Sequence, residues 1–367
     1  MKIALVIPGG VDRSGEYRVI PALLALIRQL AQRHEVHVFS LNRAARRETW
    51  CWERVTIHEF GASAGVMRAL LSIGREHRRA PFDVIQSLWA GWPGTVAVLA
   101  GTLLRIPSSV HVAGGELCAI ADIGYGGRLR WSGRLLERFV LRGAGAVSAA
   151  SLPVVKQVAA LGVSATRIPL GVDVTTWAPR SPRRREPDER ARLIHVASLN
   201  RVKDQATLLH AMRLLAQDGV PFALDIVGED TLDGEIQTLA RRLGLDAQVT
   251  FHGYRTQSQL RPFFDAAHLN LVTSRHEAGP LVLLEAAIAG VPSVSTDVGH
   301  ASEWAPRAAW CVPVGDAPAL ARAVRILIGA EDQRLQLAER AQELALREDA
   351  VHGAALFEAT YQRLLAS

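Results

Sequence analysis

Two carboxylates at a fixed spacing, Glu277 and Glu285, are the residues of this chain best suited to chemistry. They stand in the run Ser274-Arg275-His276-Glu277-Ala278-Gly279-Pro280-Leu281-Val282-Leu283-Leu284-Glu285-Ala286, with seven residues between them. Gly279-Pro280 predicts a loop turning into a helix, with proline at the first helical position, where its missing N–H costs nothing. The first acid then lies on the loop and the second about one and a half turns inside the helix. At ~1.5 Å rise per residue the two are roughly 10 Å apart. Between them lies the helix N-terminus, whose free N–H groups and positive dipole end favour a phosphate. An acceptor on each side of a phosphate cradle suits a sugar nucleotide, one carboxylate for hexose hydroxyls and the other for ribose hydroxyls.

The spacing, followed at once by Ala289-Gly290-Val291-Pro292-Ser293-Val294-Ser295-Thr296-Asp297-Val298-Gly299, resembles the signature of the retaining glycosyltransferase family 4, the group 1 glycosyl transferases. The resemblance implies that Glu277 contacts the donor sugar and takes part in catalysis. It also implies that Glu285 binds the ribose and that Gly279, Pro280 and Leu281 form the donor phosphate cradle. Val196-Ala197-Ser198-Leu199-Asn200-Arg201-Val202-Lys203-Asp204 is similar to the family segment whose Arg and Lys bind the donor diphosphate. Lys203 matches the lysine; Ser198 stands where the arginine is expected, and Arg201 is the candidate to replace its charge. A cation there stabilises the negative charge that builds on the leaving group.

Three further segments carry weaker versions of the same likeness. Pro8-Gly9-Gly10-Val11-Asp12-Arg13-Ser14-Gly15-Glu16 is not a dinucleotide fingerprint, yet it resembles the family's N-terminal loop over the donor phosphate, which makes Gly15 a donor contact. Ser109-Val110-His111-Val112-Ala113-Gly114-Gly115-Glu116 resembles the strand end whose His touches the transferred sugar. That implies a catalytic role for His111, with Glu116 as an acceptor contact. Phe251-His252-Gly253-Tyr254 resembles the turn that holds the nucleotide base, with Tyr254 stacking on it. Leu170-Gly171-Val172-Asp173 is read as structural.

These residues need a scaffold, and the hydrophobic pattern supplies one. Apolar runs such as Ile3–Pro8, Glu35–Leu41, Val55–Phe60, Asp83–Ser87 and Ser108–Val112 alternate with helical segments at 17–33, 65–79, 94–104 and 128–142. The pattern restarts at Leu193–Ala197 and runs to the end of the chain. Strands apolar throughout and separated by helices predict parallel sheets covered on both faces. The fold class is therefore α/β, and the resemblance implies GT-B: two Rossmann-like doubly wound domains with the ligand in an interdomain cleft. The expected domains are 1–177, acceptor-binding, and 191–348, sugar-nucleotide-binding. Between them 178–190, charged and proline-rich, is a linker, and 349–367 is a helix packing back toward the first domain.

At 367 residues, 49% apolar and 21% charged, the chain suits two soluble domains. No apolar run is long enough to span a membrane, and the opening run is too short for a signal peptide, so a cytoplasmic protein is expected. Three scattered cysteines indicate neither a disulfide framework nor a zinc site. No Asp-x-Asp or histidine cluster suggests a metal, so none is assigned, and no cofactor is expected beyond a nucleoside-diphosphate sugar as donor substrate. Charge is lopsided, net +10 over 1–180 and −4 over the rest. Nucleic acid, an anionic membrane face or simple solvation of helix faces could each explain it. No nucleic-acid-binding signature appears, and no nucleic-acid partner is expected.

The expected activity is transfer of a sugar from a nucleoside-diphosphate sugar to a hydroxyl of a glycan or lipid-linked acceptor in cell-envelope or exopolysaccharide synthesis. Retention would proceed by front-face substitution, since no carboxylate nucleophile is evident. The rival reading is a sugar-nucleotide-binding scaffold without turnover, suggested by Ser198. The run 125–142 sets arginines at 128, 130, 134, 138 and 142 among Leu, Trp, Phe and Val at helical spacing. A basic amphipathic helix of this kind can lie on the anionic inner face of a plasma membrane; a core-facing helix with a solvated basic face is the other reading.

Overall fold

The computed structural model describes residues 1–42, 47–61 and 65–366. It divides into two compact units, 1–171 with 350–367, and 172–349. In the first unit the order is β1 (Lys2–Ile7), α1 (Pro21–Ala31), β2 (Glu35–Ser40), β3 (Glu48–Trp52), β4 (Val55–Glu59), α2 (Gly65–Arg79), β5 (Val84–Leu88) and α3 (Trp92–Leu104). Then come β6 (Ser108–Val112), α4 (Trp131–Gly143), β7 (Ala146–Ala149), α5 (Leu152–Ala159) and β8 (Thr166–Arg167). The second unit holds β9 (Ala191–Val196), α6 (Gln205–Gln217), β10 (Phe222–Val227), α7 (Glu235–Arg242), β11 (Val249–Phe251), α8 (Gln257–Ala266) and β12 (Leu269–Val272). It continues with α9 (Leu281–Ile288), β13 (Ser293–Thr296), α10 (His300–Trp304), β14 (Trp310–Val312), α11 (Ala317–Gly329) and α12 (Glu331–Arg347). The last helix, α13 (Ala350–Ala366), belongs to the first unit and packs on α1.

The two sheets share one logic. The second unit's order is β11-β10-β9-β12-β13-β14, all parallel; the first unit's is β3-β4-β2-β1-β5-β6-β7-β8, parallel except for the antiparallel pair β3 and β4. Strand order reverses between β9 and β12 and between β1 and β5, and at such switch points the loops after the strands leave a crevice for a ligand. In the second unit only Leu193 with Leu269 and Ile194 with Asn270 pair across the switch, so the strand ends there are left to their loops. Both faces of each sheet are covered. Leu208, Met212 and Leu224 anchor one side of the second sheet, and Ile194, Phe264 and Leu284 the other.

Four local expectations change. Residues 178–190 are a strap on the second unit rather than a free linker, and the units divide at 171/172. Arg180 N–H donates to the Ile288 carbonyl, Arg184 pairs with Asp332, and the guanidinium of Arg334, 1% exposed, donates to the Arg183 carbonyl at 2.5 Å. Arginines satisfy backbone carbonyls without any periodicity in the sequence, so the pattern resembles a linker. Pro280 is the N-cap of α9, with extended ψ of 105°, and not its first helical residue. Helix α1 starts at Pro21, later than Tyr17. Edge strand β3 was not anticipated, although Trp50 and Trp52 turn inward while Thr49 and Cys51 face out.

Candidate functional site

The switch point of the second unit gathers most of the residues singled out from the sequence. The loop after β9 is folded by Asn200, which accepts the Lys203 N–H through both its backbone and side-chain oxygens, each at 3.1 Å. Asp204, at φ 50°, then caps α6 by accepting from Thr207 N. The loop after β12 is laced to it: Thr273 Oγ1 donates to the Lys203 carbonyl at 2.8 Å, and Arg275 N to the Val202 carbonyl at 2.7 Å. That lacing brings Lys203 Nζ against Glu277 Oε1, which also accepts from Ser274 Oγ at 2.6 Å. With the two side chains 27% and 15% exposed, the pair is partly desolvated yet reachable. The ammonium has three N–H donors, so it can hold Glu277 and still serve an anionic oxygen.

Helix α9 begins beside Glu277, and no side chain caps it, so the N–H groups of its first turn are available for an anion. Gly279 and Leu281 are half-buried there and Pro280 is buried. Gly299 secures this approach. At φ 51° it is in the left-handed region, and a Cβ would meet Pro280 Cδ at 2.8 Å and the Glu277 carbonyl at 3.2 Å; a side chain here would push the loop away. Further along α9, Glu285 is buried, and its Oε1 accepts from Gln257 Nε2 at 3.1 Å. Burial without a cation pushes its carboxyl up to about 7. Gln257 opens α8 three residues after the half-buried Tyr254, so the segment carrying Tyr254 is tied to Glu285.

Behind the pair sit two residues that carried no motif. His195, wholly buried in β9, bonds the Leu271 carbonyl through Nδ1 at 2.8 Å and Gln205 Nε2 through its own Nε2 at 3.2 Å. Burial holds its imidazole neutral, down to about 4. Gln205 also donates to the Ser198 carbonyl at 3.1 Å, which fixes the loop where an arginine was expected. Ser274, Gln257 and Gly299 were likewise missed; only Ser274 and Gly299 lie inside runs that carried a signal.

Four other residues singled out from the sequence are engaged within their own units. Arg201 is paired with Glu235 of α7 at 2.9 Å, both half-exposed. His111 is the penultimate residue of β6. It is 0% exposed, its Nδ1 is 3.0 Å from Ser148 Oγ, and its ring meets Phe357 of α13 edge-on at 5.2 Å. It packs the first unit's core. Glu116 has both carboxylate oxygens engaged by backbone donors, Oε1 by Ala90 N at 2.9 Å and Oε2 by Gly114 N at 2.7 Å. It clamps the turn after β5, where Trp89 takes φ 72°, a conformation that a bulky residue holds only under restraint. Gly15, at φ 66°, closes a turn by donating to the Asp12 carbonyl, and a Cβ would stand 3.0 Å from Trp52 Nε1; packing accounts for it. Among the described residues no group of three or more His, Cys, Asp or Glu side chains is placed to hold a metal.

The family model "Glycosyl transferases group 1" matches residues 180–344, and "Glycosyl transferase 4-like domain" matches 19–171. Among curated proteins, an amylovoran biosynthesis glycosyltransferase of Erwinia amylovora is 30% identical over 138 residues, 35% of this chain and 34% of that one. The curated relatives are matched over only 34% to 46% of their own length. Sucrose-phosphate synthase from Thermosynechococcus elongatus superposes with a TM-score of 0.82 at 18% identity, over 100% of this chain and 99% of that one. HepE of Anabaena, solved with UDP-glucose, does so at 0.75 and 19%, over 99% and 100%. At such identities the likeness speaks for the fold. The two family matches and the two doubly wound units agree: the chain belongs to the group 1 glycosyl transferases and has the GT-B fold.

Proposed function

We propose that the chain transfers a sugar from a nucleoside-diphosphate sugar to a hydroxyl acceptor, with retention and without a metal. The observation that carries this reading is the Lys203–Glu277 pair at the mouth of an uncapped helix. Lys203 and the first turn of α9 stabilise the departing diphosphate, the place where fixed donors lower a barrier most. Glu277 accepts from sugar hydroxyls, Glu285 from ribose hydroxyls, and Tyr254 stacks on the base. The departing phosphate oxygen takes the acceptor proton on the face it leaves, so the step needs no enzyme nucleophile. A uridine donor is supported by the solved HepE complex with UDP-glucose, and a cell-envelope or exopolysaccharide acceptor by the amylovoran relative. A glycan or lipid-linked acceptor at a cytoplasmic membrane face fits the basic first unit. Purified protein given radiolabelled UDP-sugars tests the reading: transfer or donor hydrolysis that falls with Lys203→Ala supports it.

One observation favours a second reading, a binding scaffold without turnover. Ser198 stands at the expected arginine position, and Arg201 is held by Glu235, leaving the diphosphate a single side-chain cation among those singled out. Tight nucleotide binding with no turnover on any donor would select that alternative.

A further inference from the structure

The first unit has its own cavity, about 860 Å³, between the turn after β5, the segment leading into α4, and α4 itself. Its mouth is apolar and exposed: Trp92 is 58% accessible, Trp131 74%, Leu135 55% and Phe139 44%. Such a cluster on a water-facing surface marks an interaction site. Glu116 and Glu137 line its inner wall, while the exposed charges of α4 have one sign. Arg130, Arg134, Arg138 and Arg142 are all exposed on α4 or at its cap. The helix's single acid, Glu137, is turned inward at 5% exposure and paired with Arg128 at 3.4 Å. Burying the only carboxylate leaves the outer surface of α4 cationic.

We propose that this face docks on an anionic lipid bilayer and that the cavity takes the apolar chain of a lipid held there. Charge complementarity and tryptophans at a polar–apolar boundary argue for a bilayer. The cavity is of the size that encloses most of a small apolar ligand. That the lipid carries the acceptor hydroxyl rests on the transfer reading above.

The test is flotation of the full chain with phosphatidylcholine vesicles, with and without phosphatidylglycerol. A second readout is quenching of Trp131 fluorescence by bromine-labelled acyl chains, taken as the difference from Trp131→Leu. The expected result is binding to anionic vesicles alone, weakened at high salt. Arg130/Arg134/Arg138→Glu and Leu135/Phe139→Ser should each weaken it at least about tenfold, with UDP affinity unchanged and Trp131 quenched. Absence from anionic vesicles, or binding indifferent to both sets of substitutions, overturns the proposal. So does a dimer in solution that Leu135/Phe139→Ser disperses, since the face would then belong to self-association. Vesicle binding that persists in a protein unable to bind UDP supports the docking surface and overturns the transfer reading alone.

Discussion

The two sheets of this molecule are built alike, and the loops at their strand ends are used differently. In the second unit, loop backbone and hydroxyl groups lace to one another, and the charged tips of Lys203 and Glu277 remain reachable. In the first, the polar groups serve the loops themselves. Glu116 is bound to two backbone N–H groups, His111 is in the core and Gly15 packs on Trp52. What is left open there is apolar. A doubly wound sheet thus provides a crevice, and which groups its loops leave unengaged decides whether that crevice suits a charged ligand or a greasy one.

The sharpest way to break this contrast is Lys203→Ala. It should lower kcat by about a hundred- to a thousandfold, with the melting temperature nearly unchanged; wild-type turnover would remove the second-unit site. Glu277→Gln should cost roughly ten- to a hundredfold in kcat/KM, the range for a hydrogen bond to a charged group, measured with saturating acceptor.

Glu285 gives a test in pH. Its carboxyl is raised from 4.5 to about 7 by burial, so the unfolded chain ionises first. The cost to folding is absent below pH 4.5, grows as pH rises, and is complete above 7 at about 3 kcal/mol. Glu285→Gln should therefore be more stable than wild type at pH 8 and equal to it at pH 4 by thermal melting. If ribose hydroxyls donate to the ionised form, wild-type UDP affinity should also rise through pH 7 in calorimetry, and that rise should be missing in the variant.

In the first unit the effects should fall on stability. His111→Ala and Glu116→Gln are expected to cost about 1–3 kcal/mol in denaturant melts, with UDP affinity unchanged. A large loss of kcat in folded His111→Ala would restore it to the site and weaken the contrast. Arg201→Ala should change turnover less than about twofold, because an exposed ion pair contributes little.

Much of the second unit was legible because its chemistry is local. Glu277, Glu285 and the cradle lie in one continuous run, and Lys203 directly precedes the cap Asp204. The first unit was harder to read because its assignments depended on where strands end. Ser108–Val112 carries His111 inside the strand, two residues before the loop, and nothing in the run marks that end. Glu116 was read as an acceptor contact, but its partners, Ala90 and Gly114, are backbone groups that no side-chain pattern reports. The partner of Arg201 was hidden for a related reason: Glu235 is far along the chain. The strap at 178–190 was misread because its contacts are arginine-to-carbonyl bonds, which have no period.

The return of α13 to the first unit has a consequence for synthesis. Phe357 and Tyr361 fill the core beside His111 and α1, yet they are translated after all of 172–349. On the ribosome the second unit is a continuous stretch and can complete its core first. The first unit, begun earlier, must wait with that side of β6 uncovered until the final helix leaves the exit tunnel. A released chain truncated before Ala350 should accordingly expose the region around His111 to proteases while the second unit resists them.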